Sequence, residues 1–227
     1  MIQLTNVSKS YSRGDTKVPV LENISLKIPS GDFFALMGPS GSGKSTLLNL
    51  IGGIDYPNTG TIVINSIDIT KLSESGLTSW RAENIGFIFQ FYNLLPVLTA
   101  LENVALPLQL KPLSQKKRKA LALNALEKVG LLDRINHKPG ELSGGQQQRV
   151  AVARALVTDA PVIVADEPTG DLDRESGAEI LELLGEVNNN FGRTIVMVTH
   201  DPKAASKANT ILNFEKGRLE ESSSGDN

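Results

Sequence analysis

Gly38-Pro39-Ser40-Gly41-Ser42-Gly43-Lys44-Ser45 places glycines, a lysine and a hydroxyl at the spacing G-x-x-x-x-G-K-[ST]. Residues of these types at this spacing suit the binding of a polyphosphate. With no Cβ at Gly38, Gly41 and Gly43, backbone N–H groups can turn inward and cradle phosphate oxygens. Lys44 supplies a point charge for the terminal phosphates and Ser45 a hydroxyl ligand for Mg²⁺, while Pro39, Ser40, Ser42 and Thr46 complete the cradle. Such a loop needs a strand before it and a helix after it. Phe33-Phe34-Ala35-Leu36-Met37 predicts a short buried strand and Thr46-Leu47-Leu48-Asn49-Leu50-Ile51 the first turns of a helix. The phosphates would then lie at the positive end of that helix, and the pattern predicts a nucleoside triphosphate site.

Other apolar runs end in the same manner: Ile85 to Phe89 before Gln90, Val162 to Ala165 before Asp166, and Ile195 to Thr199 before His200. Helical stretches intervene, which predicts an α/β fold with a mostly parallel sheet. Ligands bind such sheets at the carboxyl ends of the strands, so the repeated ending points to one shared site. Ahead of this core, Ile2 to Val7 and Val18 to Ile28 flank the polar turn Ser12-Arg13-Gly14-Asp15 and predict a small antiparallel layer. Between Gln90 and Ser143 the character is helical. Ser114 can cap a helix in which Ala122, Ala125, Leu126 and Val129 share one face, with Gly130 beyond the last turn. The expected organisation is one domain over 1–227: a core from 1–90 and 158–219, a helical subdomain at 91–157, and a disordered polar tail at 220–227. Lys116-Lys117-Arg118-Lys119 falls in the first helical turns, where the helix dipole disfavours cations. It reads either as a solvated face or as a contact for anionic lipid headgroups or an acidic partner.

Composition narrows the function classes. A chain of 227 residues with net charge −2 lacks the strongly basic balance of a dedicated nucleic-acid surface. The absence of cysteine excludes disulfides, thiolate zinc sites and cysteine nucleophiles. Apolar runs such as Pro161 to Ala165 are strand-sized, far from the roughly 18 residues of a membrane span. Met1 to Asn6 shows no secretory pattern, so a cytoplasmic protein is expected.

Leu142-Ser143-Gly144-Gly145-Gln146 is the more discriminating motif. Together with Lys44, Gln90, Asp166-Glu167 and His200 in this order, it resembles the nucleotide-binding domain of ABC transporters over nearly the whole chain. Phe89 to Pro96, Thr99 to Val104 and Asp166-Glu167-Pro168-Thr169-Gly170 look like the lipoprotein-release and macrolide-exporter group of that family. The resemblance implies ATP and Mg²⁺ as ligands, with Asp166, Ser45 and the amide oxygen of Gln90 toward the metal. It makes Glu167 the general base for the attacking water and His200 a contact to the terminal phosphate and that water. His137, in an ordinary loop, is left structural. Tyr11 either stacks on adenine, as an aromatic near the start of these domains does, or is a surface tyrosine. Ser143, with the N–H groups of Gly144 and Gly145 and the helix through Gln146, forms an anion site meant for the phosphate of a second copy, so two chains are implied head to tail. Asp173 would sit at that junction. Asp171 departs from the Asn or Ala more usual there, and would either slow closure or face solvent.

The expectation is therefore an ATPase subunit at the inner face of a membrane, driving an integral membrane subunit that docks near Gln90 to Leu98, with an adaptor protein as a further candidate partner. Packing within the insertion is the competing reading of Phe91 to Leu98. An ATPase of a cell-division or mechanical signalling complex would carry the same motifs. Soluble ribosome- or DNA-acting relatives carry tandem cassettes or coiled-coil arms, and this chain has no sustained heptads.

Overall fold

The computed structural model describes residues 1–14 and 16–219. Asp15 of the first turn and the polar tail at 220–227 lie outside the described residues. Strands β1 (Ile2–Arg13) and β2 (Thr16–Ile28) pair antiparallel, as their alternation predicts. A hairpin not anticipated from sequence, β4 (Thr59–Ile64) with β5 (Ile67–Asp68), extends this layer to the order β2-β1-β4-β5. Its turn residues Asn65 and Ser66 take φ of 48° and 68°, the left-handed pair that a two-residue hairpin turn demands. The signal was short and lacked the usual Asn-Gly.

The second sheet contains β3 (Phe33–Met37), β6 (Ile85–Phe89), β7 (Val162–Asp166), β8 (Thr194–Thr199), β9 (Thr210–Glu215) and β10 (Arg218–Leu219). Its order is β10-β9-β3-β8-β7-β6, parallel throughout except for the antiparallel β10 edge. Helices α1 (Lys44–Ile51), α2 (Glu74–Asn84), α3 (Ala100–Ala105), α4 (Gln115–Lys128), α5 (Gly144–Leu156), α6 (Arg174–Phe191) and α7 (Pro202–Ala205) connect and cover the strands.

The central strands β3, β7 and β8 are buried along almost their whole length because both faces are covered, and polar residues enter only at strand ends, at Thr194, Thr199 and Asp166. Phe34, Leu36, Val164, Val196 and Val198 point to one core, shared with the antiparallel layer, α1 and α2. Phe33, Ala35, Ile163, Ala165, Ile195 and Met197 point to the other, beneath α3 to α6. The period of two that splits each strand between the cores also fixes its register, since a slip of one residue would exchange the faces.

In the helical stretch, Ser114 caps α4 by accepting the Lys117 N–H at 3.3 Å, and Ala122, Ala125, Leu126 and Val129 are buried. Lys116, Lys117 and Lys119 are exposed on the first turns, while Arg118 bonds Gln109. The carbonyl of His137 accepts the Ala100 N–H at 2.8 Å and its ring lies 3.4 Å from Arg134, a structural role. Helix α5 does two jobs: it packs on α3 and α4, and it also lies directly on β6. At that crossing a Cβ on Gly86 would fall 2.6 Å from the Ala155 carbonyl oxygen, so only glycine permits the approach. The insertion and the sheet thus share one continuous core. Among the described residues, no helix is long and apolar enough to cross a membrane.

Gly86→Ala should separate α5 from β6 and destabilise the chain by about 1–3 kcal/mol, the usual cost of overpacking against backbone. Urea unfolding measures it, and an unchanged midpoint would contradict this close seating.

Candidate functional site

The loop between β3 and α1 is built around two close approaches. A Cβ on Gly38 would lie 2.0 Å from the Phe214 carbonyl oxygen, and one on Gly43, where φ is 102°, would lie 2.9 Å from that of Val20. Glycine at both places lets the loop fold back against β9 and β2. Lys44 is buried, and its ammonium donates to the carbonyls of Gly38 at 2.7 Å and Pro39 at 2.8 Å. Burial lowers its pKa, partly offset by the carboxylates of Glu167 and Asp166.

An open cleft of about 430 Å³ runs along this loop, walled by residues 40, 41 and 43–46 and by the side chains of Gln90, Asp166, Glu167 and His200. That size accommodates a polyphosphate chain. Asp166, the last residue of β7, accepts the Ser45 hydroxyl at 3.0 Å. Burial pushes its carboxyl pKa up; the Ser45 hydrogen bond and Lys44 work against the rise and Glu167 adds to it. Glu167 takes a left-handed φ of 46°, while its N–H donates to the Val198 carbonyl at 3.0 Å. This turn sends its carboxylate across to β8, where Oε1 lies 2.9 Å from His200 Nδ1 and Oε2 accepts the His200 N–H at 3.4 Å. With Nδ1–H donated to the carboxylate, the outer ring nitrogen of His200 is left for a ligand.

Gln90 follows β6, and a Cβ on Gly170 would stand 3.0 Å from its side-chain nitrogen, so the turn after Glu167 packs under this amide. The chain beyond Gln90 bends through Tyr92 and Asn93, with φ of 58° and 49°. Arg154 of α5 holds the bend, donating to the Asn93 carbonyl at 2.5 Å and the Tyr92 carbonyl at 2.7 Å. Gln148, also on α5, reaches the carbonyls of Phe89 and Pro168. Neither α5 residue was singled out from sequence, because helical spacing reveals a buried side but not its partners. Val20, a cleft residue on β2, was also missed, because strand alternation does not reveal that β2 borders the phosphate loop.

Ser143, Gly144, Gly145 and Gln146 do not wall this cleft. Ser143 caps α5 in a reciprocal box: its hydroxyl accepts the Gln146 N–H at 3.3 Å and the Gln146 side chain accepts the Ser143 N–H at 3.0 Å. Asp173 caps α6 by accepting the N–H groups of Glu175 and Ser176, both at 3.0 Å. The Asp171 carboxylate lies 3.5 Å from the Tyr92 hydroxyl. Tyr11 is also outside the cleft wall. Its hydroxyl donates to Asp55 at 2.9 Å, and the Lys9 ammonium, paired with Asp55 at 2.7 Å, sits 4.9 Å from the centre of its ring. Burial and the Asp55 carboxylate raise the phenol's pKa, against a lowering by the neighbouring Thr46 hydroxyl.

Residues 21–170 match the sequence profile described as ABC transporter. An uncharacterised ABC transporter ATP-binding protein of Bacillus subtilis, YvrO, is 51% identical over 219 residues, covering 96% of this chain and 95% of the relative. A macrolide export ATP-binding/permease protein, MacB of Hyphomonas neptunium, is 48% identical over 219 residues, but those span 34% of that longer protein. Among solved structures, a dimeric post-hydrolysis state of the ATP-binding cassette MJ0796 bound to ADP and Pi aligns with a TM-score of 0.90, 46% identity and 97% coverage of both chains.

The buried carboxyl of Asp166 generates a pH signature. Its folded pKa is raised, so its contribution to stability is full below the unfolded value and is lost as pH rises through the folded one. Asp166→Asn, which keeps the acceptor for Ser45 without the charge, should therefore raise the urea midpoint near neutral pH with Mg²⁺ chelated. The advantage should vanish on acidification below the carboxylate range. A difference independent of pH would exclude this origin.

Proposed function

The chain belongs to the ABC transporter family, and on that premise we propose that it is the ATP-binding, ATP-hydrolysing subunit of a transporter complex, two copies of which close on ATP to move a separate membrane subunit. The observation that carries the reading is the separation of two anion sites on one chain. One is the cleft with the phosphate loop, Asp166, Glu167 and His200; the other, the N-terminus of α5 at Ser143, lies outside it. A two-fold, head-to-tail pair sets the second site of each copy over the cleft of the other. The dimeric form of the MJ0796 cassette supports this arrangement.

Within the cleft, the loop N–H groups and Lys44 hold the phosphates, Lys44 exchanging the carbonyls of Gly38 and Pro39 for phosphate oxygens. The oxygens of Ser45, Asp166 and Gln90 suit Mg²⁺, a hard cation that keeps water and phosphate among its ligands, and the raised pKa of Asp166 is what a cation there would reverse. Bound there, Mg²⁺ would neutralise charge on the phosphates. Glu167, oriented by His200 through the 2.9 Å contact, takes a proton from water as the oxygen attacks the terminal phosphorus and the bond to the ADP oxygen breaks. Adenine stacks on the Tyr11 ring, which Asp55 and Lys9 hold in place.

The membrane subunit docks at the segment after Gln90. Phe91 and Val97 of this segment are 68% and 73% exposed, and Asn93 between them lines a groove of about 290 Å³ between α2 and the helical stretch, with Phe87, Phe89, Pro107 and Leu110 in its walls. An apolar segment of the partner fits this groove and places the chain on the inner face of the membrane. Of the transporter classes, the exporter or lipoprotein-release type is favoured by the similarity to part of MacB, and for an exporter an adaptor protein is a further candidate partner.

Glu167→Gln should lower turnover about a hundred-fold or more while ATP binding persists, and should accumulate an ATP-bound dimer visible by size exclusion. Adding Ser143→Arg should abolish that dimer while each monomer still binds ATP. A Glu167→Gln chain that stays monomeric with ATP even beside its membrane partner overturns the shared site. For the adenine contact, Tyr11→Ala should weaken ATP binding by about 1–3 kcal/mol and Tyr11→Trp should largely restore it; equal affinities by calorimetry would return Tyr11 to the surface.

A further inference from the structure

Gln148 is fully buried at the second turn of α5, the helix that Ser143 begins. Its amide nitrogen donates to the Phe89 carbonyl at 3.3 Å and to the Pro168 carbonyl at 2.6 Å. Phe89 immediately precedes Gln90, and Pro168 immediately follows Glu167. Both neighbours can only accept, so the amide has a single workable orientation: NH₂ toward the two backbones and Oε1 away. That oxygen is buried without a partner. A buried unpaired carbonyl is unfavourable, and an apolar side chain would avoid it. What the glutamine alone supplies is the bridge. The same two segments touch again where Gly170 packs under the Gln90 amide, so the bridge sits directly behind the catalytic contact.

We propose that Gln148 is a positioning residue for ATP hydrolysis: one amide ties the backbone entering Gln90 to the backbone leaving Glu167 and so fixes where these two side chains stand relative to one another. The proposal rests on the roles given above to Gln90 and Glu167. Gln148 does not wall the cleft; it sets where Gln90 and Glu167, which do, stand relative to one another. Arg154 fixes the chain after Gln90 from the same helix, but only Gln148 reaches both segments.

Gln148→Met matches the side chain's length and removes the donors. In the full chain it should lower kcat about ten- to a hundred-fold, the scale of a small misplacement of reacting groups, with the Kd for ATP changed by less than about three-fold. Combined with Gln90→Ala it should lose less than the product of the single losses, because both act on one geometry. A simple packing role would instead lower the unfolding midpoint and weaken ATP binding in step with kcat, and would multiply with Gln90→Ala; either result overturns the proposal, as does an unchanged kcat. Gln148→Asn keeps the donors but withdraws them by one methylene; it should show the same kcat loss, and it replaces Gln148→Met in every arm should that variant fail to fold. Glu167→Gln, run in parallel, separates the two ideas: if it hydrolyses ATP normally the underlying roles are wrong, whereas if it is inactive and Gln148→Met is not, the bridge alone is wrong.

Discussion

The register of four neighbouring parallel strands is the constraint on which the site depends. Met37 pairs with Thr199, Val198 with Asp166, and Asp166 with Phe89, so β3, β8, β7 and β6 end in a single row. The residues just past that row are Gly38, His200, Glu167 and Gln90. None of them sets the register. It is set by the alternation of Phe33 and Ala35 against Phe34 and Leu36, and of Ile163 and Ala165 against Val162 and Val164, between two cores of different composition. The residues that wall the cleft at the strand ends are thereby aligned by apolar residues that do not line it.

A row of strand ends is necessary but does not aim side chains. That is done by backbone in the left-handed region at Glu167, Tyr92 and Asn93, a conformation disfavoured for Glu and Tyr and tolerated by Asn. Such conformations cost on the order of 1–3 kcal/mol each and persist where neighbours over-determine them. The Val198 carbonyl restrains Glu167 from within the sheet, and Arg154 restrains the other two from α5. Strain and its restraints lie on either side of the boundary between sheet and helical insertion, which explains why the two share a core.

Much of this was legible in the sequence because the informative signals are local. The phosphate loop declares its own context, the strand endings repeat, and Ser114 and Ser143 announce helix starts that the caps reproduce. What was not legible is tertiary. Residues 59–68 form two strands of the antiparallel layer, yet their short apolar run is interrupted by Asn65 and Ser66. Gln148 stands in a run of glutamines that reads as a polar helix face, but it faces inward, toward carbonyls separated from it by 59 and 20 residues in sequence. The aromatic Tyr11 was visible as a candidate; the Lys9–Asp55 pair that holds it links positions 46 residues apart and could not be.

Arg154 also bears on how the molecule responds to ionic strength. Its guanidinium is desolvated and grips two carbonyl dipoles, not a carboxylate. Exposed ion pairs, such as Arg149 with Glu179 on the outer side of α5, weaken as added salt shortens the Debye length to about 10 Å at 0.1 M and below. A half-buried cation against neutral acceptors is less subject to that screening. The hold of α5 on the bend after Gln90 is therefore less sensitive to salt than the exposed ion pair on the same helix.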